Sequence, residues 1–296
     1  MESVAEFWRR YRRNRLAVVG LVVVVILITT ALLSFVIAPF EKVILQRPPL
    51  ALQPPSLANP MGTDHLGRDV LLRIIYASRT SLLVGIMVVS IGMSIGTVLG
   101  LLAGYLGGWW ERIIMRLVDI MLAFPFLLLA IAVSATAGPW LIEVLKQRFN
   151  IQVFSSLPVI LALGFATFPD YVRLVRGSVL SLREEQFVDA ARALGASRRR
   201  IMLVHILPNL IGTLLVYGTL KISTAILAES GLSFLGLGAQ PPEPTWGNML
   251  SEGREYLLFY SWLPLFPGLA ILFTVLGFNF VGDGLRDVLD PHMKDV

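Results

Sequence analysis

The chain has 296 residues, of which 55% are hydrophobic and only 15% charged. A soluble domain carries about 25% charged residues, so this composition points to a membrane protein, and its net charge of +5 reads as a cytoplasmic-side excess rather than as nucleic-acid binding. The absence of cysteine excludes disulfides, thiolate metal sites and a cysteine nucleophile, while His65, His205 and His292 lack the spacing of a metal motif on one helix face.

In chain order, the first apolar run is Leu16 to Ala38, charge-free and long enough to cross the hydrocarbon core. It is too long for a signal-peptide core and is not closed by a small-residue cleavage pattern, so it reads as a retained span. The Pro48-Pro49 and Pro54-Pro55 stretch that follows predicts a non-helical outer linker. Further spans are expected at Ser81 to Tyr105, Leu117 to Thr136, Leu157 to Val175, Pro208 to Ala228 and Trp262 to Val281. The fourth of the six is interrupted by Pro169 and Asp170. The fold class is therefore all-α integral membrane, with six transmembrane helices. A boundary near residue 78 divides the chain. Residues 1–78 hold the N-terminal segment, the first span and the outer linker, and residues 79–296 hold a five-span core with an inner loop at 181–207.

Arg9, Arg10, Arg12, Arg13 and Arg15 stand directly before the first span, which makes that end cytoplasmic. An even number of spans then returns the C-terminus to the same side. The longest inner loop agrees, since it carries Arg183, Arg192, Arg198, Arg199 and Arg200.

Gly92, Gly96, Gly100 and Gly104 recur every fourth residue of the second span and so form one ridge. Small ridges let backbones approach closely in lipid, so this is a packing face, within the chain or against another subunit. Charges within spans face a cavity or a partner. The candidates are Asp119, Lys221 and the pair Asp170 and Arg173, whose spacing lets them meet on one helix face. Asp170, Arg173, Lys221 and Glu229 are the pathway candidates, with Glu229 expected at the pathway mouth.

The inner loop is the most informative segment. Ser181 and Glu184 match a capping box, and a helix is expected from Glu185 to Leu194. Phe187, Ala191 and Leu194 should share its apolar face, with Glu185, Asp189 and Arg192 on another. Gly195 stands where a helix takes a left-handed stop, and Ser197 can cap the next helix, which leads to Pro208. The small, acid-flanked pair Ala190-Ala191 suits docking on another protein better than insertion into anionic lipid.

Asp189-Ala190-Ala191, Gly195 and Ile206-Leu207-Pro208 resemble the "EAA" loop of ABC importer permeases, with aspartate for its glutamate and His205 where it has isoleucine. Gly62-Thr63-Asp64-His65-Leu66-Gly67-Arg68-Asp69, the run Ala228 to Gly238 continuing through Gln240-Pro241-Pro242 to Trp246-Gly247, and Gly282 to Pro291 are similar to the C-type permease subunits of oligopeptide and dipeptide importers.

The resemblance implies a type I ABC importer permease fold with both termini cytoplasmic in a prokaryotic plasma membrane. Its implied partners are a B-type sister permease, two ATP-binding chains and an extracytoplasmic binding protein. The coupling residues it implies are Glu185, Phe187, Asp189, Ala190, Ala191, Gly195 and Pro208. None of the lysines follows a glycine, so no Walker A pattern exists here. ATP and Mg are thus expected in partner subunits, with no cofactor, metal or catalytic residue in this chain. Di- or oligopeptides are the expected cargo, with nickel complexes, glutathione or oligosaccharides as alternatives. A proton-coupled secondary transporter would need midplane acids and usually an internal repeat, and the inner loop would then have no role. A membrane hydrolase would need a motif such as G-x-S-x-G or H-E-x-x-H, and neither occurs.

Overall fold

The computed structural model describes residues 4–149 and 155–289, which include no β-strand. A short amphipathic helix, α1 (Val4–Tyr11), precedes α2 (Arg15–Ile37), whose start is capped by the Asn14 side chain accepting from the Ala17 amide. A small helix α3 (Phe40–Ile44) and the linker lead to α4 (Val70–Leu106), then α5 (Gly108–Leu122) and α6 (Phe126–Phe149). α7 (Leu157–Leu182), α8 (Gln186–Ala193), the single turn α9 (Arg198–Arg200) and α10 (Leu207–Phe234) follow. α11 (Trp246–Arg254) and α12 (Trp262–Leu289) complete the described chain. The expected residue-78 boundary falls inside α4, which runs through it without a break.

Among the described residues, five helices are long and apolar enough to cross a membrane, and six crossings result if α5 and the first part of α6 count as one span. That pair covers the expected Leu117–Thr136 span, but it is bent by 91°. Pro125 explains the bend. It has no N–H to continue the helix, and it disfavours helical geometry at Phe124. Leu129 restarts the ladder by donating to the Pro125 carbonyl. Pro169 sits inside α7 without interrupting it.

The glycine ridge of α4 is taken up within the chain. A Cβ on Gly92 would meet Thr167 Oγ1 at 2.5 Å, on Gly100 Val175 Cβ at 2.6 Å, and on Gly104 Val179 Cβ at 2.8 Å, while one on Gly96 would overlap Tyr171. The partners advance along α7 in the same four-residue step, so the two ridges interlock along their length. α2 packs on α12 in a similar way at Gly20, Gly277 and Gly284. The outer side of α2 exposes a run of large apolar side chains, including Val25, Ile26, Leu32, Leu33 and Val36, as a lipid-facing helix requires.

Tyr11 and Ala17 pack on Val288, and Asn14 Nδ2 donates to Asp287 Oδ2 at 2.8 Å. The two ends of the described chain therefore lie at one end of the bundle. Gly212, near the start of α10, meets Leu289 there, so the α8 loop lies at this end as well.

Candidate functional site

The inner loop is built as a short strut between two spans. α7 continues through Ser181 to Leu182, so Ser181 is not a cap, and Glu184 bonds Arg183 instead. The capping-box expectation fails because the helix above it has not ended. Glu185 is the N-cap residue of α8, without a side-chain bond of its own. Val188 and Ala191 are the residues buried against the bundle, whereas Phe187 is 38% and Leu194 88% exposed. The expected apolar face is thus rotated. Phe187, Asp189, Ala190 and Leu194 point away from the body of the chain. Asp189 Oδ1 accepts from Arg192 Nη1 at 2.9 Å.

Gly195 has φ +80°, the left-handed geometry of a helix stop. The Ala196 amide donates to the Ala191 carbonyl across it at 3.0 Å. Ser197 then caps the Arg198–Arg200 turn by accepting from the Arg200 amide. A π-helical turn at Ile201–Ile206 carries the chain into α10. Pro208 has no N–H for the preceding turn, and Asn209 Nδ2 donates to the His205 carbonyl at 2.7 Å.

The charges at membrane depth make cross-helix pairs. Asp170 and Arg173 do not pair with each other: Asp170 Oδ2 accepts from Lys221 Nζ at 2.5 Å, and Arg173 Nη2 donates to Asp119 Oδ1 at 2.7 Å. Better partners on α10 and α5 win over the local spacing. Lys221 also lies over the Tyr217 ring at 5.2 Å. Arg176 pairs with Glu111 of α5 one turn further on. Arg173 and Asp119 are each about half exposed at their side chains (53% and 55%), which is untenable against lipid tails, so this α5–α7 face meets water or another protein.

Asp170 and Lys221 line a cavity of about 430 Å³ together with Thr167, Thr224 and the Phe124-Pro125 break. Irregular backbone at this depth is tolerated where it lines an aqueous cavity or is buried in protein. Glu229 is not at the mouth of this space. It is 1% exposed, and its Oε1 accepts from Ser233 Oγ at 2.6 Å. A buried acid reads in sequence like a pathway acid, and only packing separates the two.

At the opposite end, residues 62–69 form a latch. Asp64 Oδ1 accepts from the Leu66 and Arg68 amides, and its Oδ2 accepts from Arg68 Nε and Arg73 Nη1, both at 2.6 Å. Both arginines also reach Glu252 of α11, at 3.0 and 2.8 Å. Burial alone would raise the Asp64 carboxyl, but the Arg73 and Arg68 guanidiniums outweigh it and hold it below the usual range. The same opposition, with Arg73 leading, lowers Glu252. Asp69 caps α4 by accepting from the Leu72 amide at 3.0 Å. Asp64, His65 and Glu252 have the proximity of a metal site, with ligand atoms within 4.8 Å of one another. Two guanidiniums already neutralise the two carboxylates, so the group does not fit a cation. The latch needs residues 64 and 252 together, which no local motif announces.

Residues 96–295 match the family "Binding-protein-dependent transport system inner membrane component", and residues 4–55 match the "N-terminal TM domain of oligopeptide transport permease C". The glutathione transport system permease protein GsiD of Shigella flexneri serotype 5b is 45% identical over 98% of this chain and 90% of that protein. GsiD of Escherichia coli O157:H7 is 44% identical over the same shares. The inward-facing MetNI methionine ABC transporter superimposes with a TM-score of 0.56 at 20% identity, covering 74% of this chain and 97% of that one, and so shares the fold. Two family models in tandem, full-length relatives and the membrane-spanning bundle agree: this chain belongs to the inner-membrane permeases of binding-protein-dependent ABC importers, in the oligopeptide permease C branch, and is a transport subunit, not an enzyme.

Proposed function

We propose that this permease shares a pathway for di- or oligopeptides, including glutathione-type tripeptides, with a sister permease, and that ATPase chains drive it through α8. ATP and Mg bind in those chains, and a binding protein delivers cargo at the latch end. The observation that carries this reading is the exposed face of α8, Phe187, Asp189 and Ala190, on a strut joined by short turns to α7 on one side and to α10 on the other. Val188 and Ala191 bind the strut to the bundle, so a displacement of α8 is passed to both spans. An ATPase that binds this face differently in two conformations shifts the balance between them, and only such differential contact can do so. The glutathione permeases at 43–45% identity support a small peptide as cargo.

The test is ATP hydrolysis and uptake by the complete importer in proteoliposomes, with dipeptides, glutathione, an oligosaccharide and a nickel chelate as stimulants. Peptide or glutathione stimulation is expected. Stimulation by sugar or nickel alone would replace the cargo and keep the machinery. Uptake without ATP would overturn the reading in favour of a secondary transporter. In parallel, Ala190→Arg adds bulk to an exposed position. It should leave the permease's Tm unchanged and abolish co-purification of the ATPases. Undiminished co-purification would remove α8 from the contact.

A further inference from the structure

The mid-membrane cavity has a charge of each sign on two different walls. Asp170 belongs to α7 and Lys221 to α10, and they bridge at 2.5 Å. Thr167 and Thr224 add hydroxyls, and Phe124 and Pro125 of the broken span close the apolar side. Lys221 stands about 20 Å along α10 from Leu207, at the depth where charge is most costly. The cavity of about 430 Å³ falls within the usual range of small-ligand sites, about 300–1,000 Å³.

We propose that Asp170 and Lys221 form a two-point site for molecules bearing both a free ammonium and a free carboxylate. Asp170 takes the ammonium and Lys221 the carboxylate as cargo passes. This rests on the transport reading above and narrows it: a free peptide or glutathione fits, and a neutral oligosaccharide does not. Opening the bridge strands two charges at membrane depth. A zwitterion replaces the lost partner on both sides, whereas a molecule capped at one end leaves one charge unpaired. The bridge also joins the two spans that hold α8, so the cargo that opens it releases a constraint between them.

The test uses the complete importer in proteoliposomes with dialanine, free, N-acetylated or C-amidated, and with free glutathione as a second zwitterion. ATP-dependent uptake by each variant is divided by the wild-type rate on the same probe, so that capture by the binding protein cancels. Asp170→Asn should slow the free probes about tenfold or more and favour the N-acetylated form. Lys221→Met should slow them similarly and favour the C-amidated form. Equal loss on all probes would reduce the pair to a structural bridge and overturn the proposal. Import of sugar alone by the wild type would overturn both this proposal and the peptide reading. A second measurement does not depend on those variants. The chain has no cysteine, so Thr224→Cys places one thiol on the cavity wall. A water-soluble thiol reagent should label this chain there, and free dialanine or glutathione should slow labelling during turnover. Labelling that is absent, or indifferent to the free probes, would overturn the site.

Discussion

Gly195 ends α8 with φ +80° and has open space around the position a Cβ would take. A substitution there is therefore penalised by backbone conformation and not by crowding, at about 1–2 kcal/mol for a β-branched residue. Gly195→Val should redirect the chain between α8 and Ser197 while the spans insert normally. Uptake should fall several-fold, with ATP hydrolysis by the complex retained. Parallel measurement of the two rates checks this, and unchanged uptake would show that the turn is not needed for coupling. The left-handed stop was legible in sequence because glycine after an amphipathic helix has a local cause. The pairing of Asp170 was not. A three-residue spacing places Arg173 nearby, but Lys221 and Asp119 arrive on other helices and no periodicity reveals them.

Helix by helix, the simple spans were readable from their apolar runs: Leu16–Ala38 in sequence corresponds to Arg15–Ile37 in the fold. The third span was readable too, but its 91° bend was not, because an average of hydropathy over Leu117–Thr136 is blind to one proline's missing donor. The glycine step in α4 announced a packing face without naming its partner, which proved to be α7. That seam makes a direct prediction. Gly96→Leu would drive a side chain into Tyr171 and the Phe168 carbonyl, neither of which can retreat within the interlocked ridges. Overpacking of this kind costs about 1–3 kcal/mol. The Tm of the purified permease should drop, while Gly108→Ala, with nothing near its Cβ, should separate less from wild type despite its φ of +56°. Equal Tm values for Gly96→Leu and wild type would mean that the seam is loose.

Across the whole molecule, the latch is the element that ties the outer linker, α4 and α11 into one unit. Removing one member of a buried ion network costs about 3–5 kcal/mol, because its partners stay behind uncompensated. Asp64→Asn should therefore lower the Tm clearly at neutral pH. The carboxyls of Asp64 and Glu252 are depressed in the folded state, so their contribution is present above the unfolded value and lost as pH falls through the folded one. The Tm gap between wild type and Asp64→Asn should shrink below about pH 4, where an ordinary aspartate begins to protonate. A gap that does not change with pH would assign the effect to the loop hydrogen bonds of Asp64 instead. The residues of this network were visible as a motif, yet its meaning was not, since Glu252 lies 184 positions from Arg68.

That separation also has a consequence in time. The ribosome delivers Asp64, Arg68 and Arg73 early and Glu252 late, so the outer segment begins life with two guanidiniums and a single acid to neutralise them. At about 5–20 residues per second, the wait for the second carboxylate lasts about 10–40 s. During that interval the network of Asp64, Arg68 and Arg73 lacks its second carboxylate. The network can close only once α11 has reached the same face as residues 62–69.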